Sequence, residues 1–162
     1  MPSTYSPSLR IELIGIGEQS NTWGVTTNNN LGTLIEQSIA GLVEVDVTVG
    51  DVTLTALDGA ADQSRNMILN VTGIPGTARS VFAPQVSKMY IITNNSDSDV
   101  TLATTAGGGL GYTIASGLVA TVYTDGIDMY SAGISQDYVD SRVLPVLQRN
   151  GVTTTNVTLA VA

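Results

Sequence analysis

The sequence predicts an all-β protein, an antiparallel β-sandwich or barrel-like domain with one short N-terminal helix and a short C-terminal helix, assembling as an oligomer. Two observations carry the β prediction. Valines alternate with polar residues from Val43 to Val49, a pattern typical of a half-buried strand. Short apolar runs then recur between turn residues about every eight to twelve positions, as in sandwiches and barrels.

The strands are predicted from runs of alternating or β-branched residues. In chain order these runs are Leu9–Ile14, Val43–Val49, Val52–Ala56, Met67–Thr72, Ser80–Ala83, Lys88–Thr93, Val100–Thr104, Tyr112–Ala115, Leu118–Thr124 and Ile127–Ser131. In the first run, Arg10 and Glu12 are expected on the face opposite the apolar residues. Gly50-Asp51 is typical of a two-residue hairpin turn. Parallel pairing is not expected, because no helix lies between successive strands to carry a crossover.

The N-terminal helix is predicted from four apolar residues at helical spacing, Leu31, Leu34, Ile35 and Ile39. It begins at Asn30 or Thr33, where Thr33-x-x-Glu36 fits a capping box, and it ends at Gly41. Residues 18–30 before it are predicted to form a polar loop around Trp23. A helix of about ten residues is marginal in water, so its apolar stripe should pack on another element.

Three regions are predicted within the 162 residues: an N-terminal arm with a strand and a short helix, 1–41; an antiparallel β-domain, 42–134; and a C-terminal short helix with a tail strand, 135–162. In the last region, Ser135 can cap a helix that Pro145 ends. The alternating run Thr153–Val161 then indicates an edge strand, which needs a neighbour to cover it.

Composition excludes several classes of function. The chain has no Cys and no His, so the commonest metal ligands and general bases are missing, and no enzymatic activity is expected. Net charge is −8 and the six basic residues are scattered singly, so neither nucleic acid nor an anionic membrane is an expected partner. The first residues lack the pattern of a secretory signal, and no apolar run is long enough to span a membrane, so a soluble protein is expected.

Three weaker motifs bear on binding chemistry. Gly15-x-Gly17-x-x-Ser20 follows a strand, but a dinucleotide site would need a helix directly after it. The acidic loops Asp58–Asp62 and Asp125–Asp128 could hold Ca²⁺, although Asp and Gly also serve hairpin turns. Four tyrosines could form a sugar-binding platform or half-buried strand positions: Tyr90, Tyr112, Tyr123 and Tyr130. No catalytic, cofactor-binding or metal-binding residue and no cofactor is predicted.

The N-terminal stretch carries a family resemblance. The run YSPSLRIELIGIGEQSNTWG, followed by NNNLGTLIEQSIAG, resembles the N-terminal module of tail-fibre and related virion structural proteins of tailed bacteriophages, especially marine and cyanobacterial phages. The matching residues are Ser8, Leu9, Arg10, Ile11, Glu12, Leu13, Gly15, Gly17, Glu18, Trp23, Gly24, Asn30, Leu31 and Glu36. Later runs resemble the β-domain of those proteins: Val52–Thr55, Asp58–Asp62, Arg65-Asn66, Lys88–Tyr90 and Asn94-Asn95.

The resemblance implies a non-enzymatic virion protein made in the bacterial cytoplasm, most simply a short tail fibre or a fibre-attachment (adaptor) protein of the tail or baseplate. It implies a homo-oligomer, expected to be a trimer, whose partners are other phage tail or baseplate proteins, with host-surface polysaccharide left open. The expected attachment and interface residues are Tyr5, Leu9, Arg10, Ile11, Glu12, Leu13, Trp23, Leu31 and Glu36. A capsid decoration or head-fibre protein, or a carbohydrate-binding host-recognition protein, is the alternative. Two roles fit Trp23: a buried anchor at a subunit interface, or a side chain that fills the protein's own core.

Overall fold

The computed structural model describes residues 2–133. The secondary-structure elements in chain order are β1 Thr4–Tyr5, β2 Glu12–Leu13, α1 Trp23–Asn29, a π-helical segment Asn30–Ile35, α2 Glu36–Ala40, β3 Leu42–Asp46, β4 Val52–Thr53, β5 Ile68–Thr72, β6 Arg79–Ala83, β7 Lys88–Asn94, β8 Val100–Thr104, β9 Tyr112–Ile114, β10 Val119–Thr124 and β11 Met129–Ser131. The predicted C-terminal helix and tail strand, within 135–162, lie outside the described residues. From β5 onwards the predicted strands are confirmed to within about two residues at each end.

Two mixed sheets form the β-domain, and they do not close into a barrel. One has five strands in the order β11-β10-β7-β5-β3, and the other has four in the order β4-β6-β8-β9. The strands β3, β5 and β7 run parallel, as do β4, β6 and β8. Pairing becomes antiparallel where β9 joins β8, β10 joins β7 and β11 joins β10. The antiparallel prediction is therefore right only for the last three strands.

Parallel pairing arises without helices because the chain alternates between the sheets from β3 to β8. After a strand in one sheet, the chain forms a strand in the other sheet and then returns to pair beside the first strand. A strand of the opposite sheet thus takes the place of the usual crossover helix. Leu42 thus pairs with Ile68, and Ile68 pairs with Ile91 in the next turn of the coil. The hairpin predicted at Gly50-Asp51 is wrong, since β3 and β4 lie in different sheets.

The core lies between the two sheets. Buried side chains from both form one hydrophobic cluster: Val45, Val47, Leu54, Leu69, Val71, Val81, Ala83, Tyr90, Ile92, Val100, Leu102, Ile114, Val122 and Met129. The predicted valine face is confirmed at Val45 and Val47. It fails at Val49, whose side chain is 96% exposed beyond the end of β3.

The helix is longer than predicted. The segments α1, π and α2 follow one another without interruption from Trp23 to Ala40. The polar-loop prediction for residues 18–30 is therefore wrong from Trp23 onwards, and Thr33 lies inside the helix, where it cannot form the capping box. Gly24 and the Thr and Asn residues after it are poor helix formers, so contacts with the rest of the fold stabilise α1. Leu34 is buried and Ile35 half-buried, whereas Leu31 and Ile39 are exposed.

The first predicted strand is interrupted. Only Glu12–Leu13 forms β2, which pairs with β1 in a separate two-stranded sheet. Arg10 has φ of 50°, a left-handed conformation that breaks the alternation expected of a strand. As a result the Arg10 side chain points towards the β-domain, while Leu13 is exposed. The predicted division into faces is wrong at these two positions.

Candidate functional site

The junction loop, residues 57–66, connects β4 to β5 within the β-domain. It also contacts the N-terminal module, residues 2–41, through Arg10. At its centre the Asp62 side chain is fully buried. Its oxygens accept hydrogen bonds from the Leu57 N–H at 2.8 Å, the Ser64 hydroxyl at 2.9 Å and the Arg65 N–H at 2.7 Å. They also accept from Arg10 Nη2 at 2.6 Å and Arg65 Nη2 at 3.3 Å. The Asp62 carboxylate thus orders the loop and, through its ion pair with Arg10, binds the N-terminal arm to the loop.

Asp62 is held in its charged form. Burial alone would raise the pKa of this carboxyl, but the hydrogen bonds from Leu57, Arg10 and Ser64 together with the positive charge of Arg10 lower it below the usual value. The ionised carboxylate is therefore part of the folded structure.

The strand β7 fixes the other side of the junction loop. Lys88 Nζ donates to the carbonyl oxygens of Arg65 and Asn66, the latter at 3.0 Å, and the Tyr90 hydroxyl donates to the Ser64 carbonyl at 3.1 Å. The ammonium lies 4.8 Å from the centre of the Tyr90 ring. Burial lowers the pKa of Lys88 to about 8 and raises the pKa of Tyr90. These two side chains stabilise the irregular backbone of the loop.

Positive charge is in excess in this cluster. Arg10, Arg65 and Lys88 surround Asp62, which is the carboxylate that contacts both guanidinium groups. Arg65 is buried, and its Nε and Nη1 atoms have no acceptor among residues 2–133. Burial accordingly lowers the pKa of Arg65. An arrangement of this kind depends strongly on the single carboxylate at its centre.

Gly59 is the second point where the arm meets the loop. Its N–H donates to the Arg10 carbonyl at 2.8 Å, and its carbonyl accepts from Asn29 Nδ2 at 3.0 Å. The Tyr5 ring lies against its Cα, so a Cβ at this position would stand 2.9 Å from a ring carbon. The φ of 66° at Gly59 also favours glycine.

The helix is fastened to β2 by Asn30. Its side-chain oxygen accepts from the Glu12 N–H at 3.2 Å, and its side-chain nitrogen donates to the Glu12 carbonyl at 2.7 Å. The amide therefore pairs with β2 as a neighbouring strand would. Gln19 adds a bond of 2.6 Å to the Glu12 carboxylate. Arm, helix and junction loop are thus linked by hydrogen bonds rather than by the main hydrophobic cluster.

Large apolar side chains remain exposed on the same module. We call them the N-terminal apolar set: Tyr5, Leu13, Ile16, Trp23, Val25, Leu31 and Ile39. Ile16 is 98% exposed and Trp23 is 61% exposed. Trp23 therefore does not fill the core of the described structure. Seven exposed large apolar side chains on one module are candidates for contacts with another protein.

The expected attachment residues divide into three groups. Tyr5, Leu13, Trp23 and Leu31 are exposed, as is Glu36, whereas Leu9 and Ile11 are half-buried. Arg10 and Glu12 make contacts within the chain. Sequence reasoning missed Ile16 and Val25, and it placed Ile39 on the helical stripe expected to pack on another element, whereas Ile39 is exposed. It also did not connect Arg10 with Asp62, because fifty-two positions separate them and no periodicity links them.

Five residues from four of the sequence runs quoted above meet at the junction. Arg10 belongs to the N-terminal run, whereas Asp62, Arg65, Lys88 and Tyr90 belong to three separate runs of the β-domain. All five meet in one hydrogen-bonded cluster. These motifs therefore build the joint between arm and domain.

The remaining sequence expectations concern a calcium loop, the four tyrosines and membrane spans. In the first acidic loop, Asp62 is occupied by the two arginines, and among residues 2–133 no three acidic side chains are grouped as metal ligands. Tyr90 is buried and Tyr112 is half-buried in the four-stranded sheet, whereas Tyr123 and Tyr130 are neighbours on the five-stranded sheet. Within the described residues, no helix combines the length and apolarity that a bilayer crossing requires.

Comparison with known proteins gave no match to a family model, a curated protein or a solved structure.

Proposed function

We propose that this protein is a non-enzymatic structural component of a bacteriophage virion, a short tail fibre or a fibre-attachment (adaptor) protein of the tail or baseplate. The observation that carries the proposal is the contrast within the N-terminal module. A part-buried hydrogen bond from Asn29 and the ion pair of Arg10 fix the module to the junction loop, yet the side chains of the N-terminal apolar set are exposed. A fixed arm with exposed apolar anchors is suited to docking on another protein.

The resemblance of residues 5–41 to phage virion modules supplies the context of the virion. The β-domain suits a structural role, because its coil of paired strands encloses one hydrophobic cluster and its buried polar groups fix loops. The net charge of −8 makes nucleic acid an unsuitable partner. We propose a homotrimer as the assembled form, and mass measurement by light scattering would give the subunit number.

A capsid decoration or head-fibre protein would use the same exposed set, so location separates the two candidates. We expect gold-labelled antibodies against the purified protein to mark the tail or baseplate of purified virions in electron micrographs. Label over the capsid would replace this proposal with the decoration protein. Virions that carry no label and yield no protein on immunoblots would overturn both.

A further inference from the structure

The two sheets present different residues on their outer faces. In the four-stranded sheet, the outward positions are mostly small and hydroxylated: Thr53, Ser80, Phe82, Thr101, Ala103 and Thr113. In the five-stranded sheet, six large apolar residues face outward, because they lie at alternate positions to the residues that enter the core. We call them the outer apolar band: Leu42, Ile68, Met89, Ile91, Tyr123 and Tyr130.

The outer apolar band is continuous across all five strands. One of its rows is paired in register across β3, β5 and β7, and the next row crosses β7, β10 and β11. The two rows adjoin on β7, where Met89 and Ile91 are two positions apart. Leu42 is 62% exposed and Met89 is 46% exposed. Parallel strands such as β3, β5 and β7 are normally covered on both faces, so this face is expected to pack against a further element.

The sequence that follows β11 supplies such an element. β11 is an edge strand of the five-stranded sheet, so residues 134–162 begin close to one end of the band. Between Ser135 and Pro145 the sequence predicts a helix with Tyr138, Val139 and Val143 on one side. Ten helical residues are about 15 Å long and four strand spacings measure about 19 Å, so one such helix can lie across most of the band.

Charge favours this segment over a second copy of the protein as the covering element. Residues 134–162 contain two Asp and two Arg, whose charges cancel, so the net charge of −8 belongs to the residues before them. Two copies that met through this face would therefore bring two strongly acidic domains together. The segment has no such net charge to oppose its packing on the band.

We propose that residues 135–144 pack on the outer apolar band of the same chain, with Tyr138, Val139 and Val143 against it. Burial of apolar side chains from both partners stabilises the contact. The contact removes this sheet face from the surfaces that are open to other proteins. The inference goes beyond the proposed function and does not depend on it.

Alkylation of a single introduced thiol tests the proposal, because the wild-type chain has no Cys. Met89→Cys places the thiol within the band, and Thr113→Cys places it at an exposed position on the outer face of β9. In the 162-residue protein, we expect a maleimide to react with Met89→Cys about tenfold more slowly than with Thr113→Cys, since the packed segment shields the thiol. The rate should not change when the protein is diluted, because the segment belongs to the same chain.

Val143→Asp and Ser141→Asp, each combined with Met89→Cys, form a matched pair of variants. Both substitutions add one negative charge, but only Val143 lies on the apolar side of the predicted helix. Val143→Asp should raise the alkylation rate about tenfold, because burial of an unpaired carboxylate opposes the contact, whereas Ser141→Asp should leave the rate low. Thermal melts should show that the β-domain of every variant folds.

Three results would overturn the proposal. In the first, Met89→Cys reacts as fast as Thr113→Cys. In the second, Met89→Cys reacts slowly and Val143→Asp leaves its rate unchanged. In the third, the rate rises on dilution, which would show that a second copy covers the band. None of these results would bear on whether the protein is part of a virion.

Discussion

Replacing Asp62 with Ala should destabilise the folded protein by about 3–5 kcal/mol, because the change leaves buried positive charge without its contacting carboxylate. Arg10 and Arg65 would each lose an ion pair, and the N–H groups of Leu57 and Arg65 would lose their acceptor. A loss of this size is a large fraction of the total stability of a domain. Thermal and urea unfolding should both show it, with a fall in Tm of about 10 °C or more.

Asp58→Asn is the control for this prediction. Asp58 belongs to the same loop and is exposed, so its replacement should change stability by less than about 0.5 kcal/mol.

The buried Asp62 carboxylate also predicts that the stability of the protein falls at acidic pH. Since the folded-state pKa of Asp62 is lower than its unfolded value, its contribution is present above the usual carboxyl range and is lost as pH falls through the lowered folded-state pKa. Equal stability of Asp62→Ala and wild type at pH 7 would contradict the assigned role.

Replacing Val45 with Asp should abolish cooperative folding. Val45 is 1% exposed and belongs to the cluster between the two sheets, and the members of that cluster among residues 2–133 are all hydrophobic, so none can pair with a new carboxylate. Burying an unpaired charge there costs more than a domain of this size can lose. Circular dichroism should show no sharp thermal transition for this variant.

Val49→Asp provides an unusually close control, because Val49 ends the same alternating valine run and is 96% exposed. It should fold and melt like the wild-type protein, within about 0.5 kcal/mol. If Val45→Asp and Val49→Asp melted alike, the assignment of the core would be wrong.

The strands from Ile68 onwards could be predicted because each has an alternating face and is bounded by turn residues. Their arrangement could not, since alternation reports which face is buried and does not report which strand is the neighbour. A pair of turn-forming residues such as Gly50-Asp51 permits a hairpin but does not require one. The chain instead crosses to the second sheet, and the parallel coil follows from that crossing.

The start of the helix was missed for a different reason. Residues 23–30 have low intrinsic helix propensity, and their helical form depends on distant partners: Asn29 contacts Gly59, and Asn30 contacts Glu12. Arg10 was placed on the solvent face because an ordinary strand alternates. Its positive φ turns it towards Asp62 instead. Contacts between residues that are far apart in sequence thus determine where the helix begins and where the Arg10 side chain points.

The docking role of the N-terminal apolar set is the central claim. Ile16→Ser with Trp23→Ser removes two exposed anchors, and Val49→Ser with Ile74→Ser removes two exposed residues of the β-domain as a matched control. All four positions are well exposed, so both double variants should melt as the wild type does. Any difference in assembly then reports docking.

The direct measurement is the number of tagged copies per purified virion after expression during infection, determined by quantitative immunoblot. Loss of two exposed anchors should lower docking affinity by about 2 kcal/mol or more, a factor of about 30. We therefore expect Ile16→Ser with Trp23→Ser to be strongly depleted from virions and Val49→Ser with Ile74→Ser to be present at the wild-type level. Equal incorporation of the two double variants would contradict the claim that this set attaches the protein to the particle.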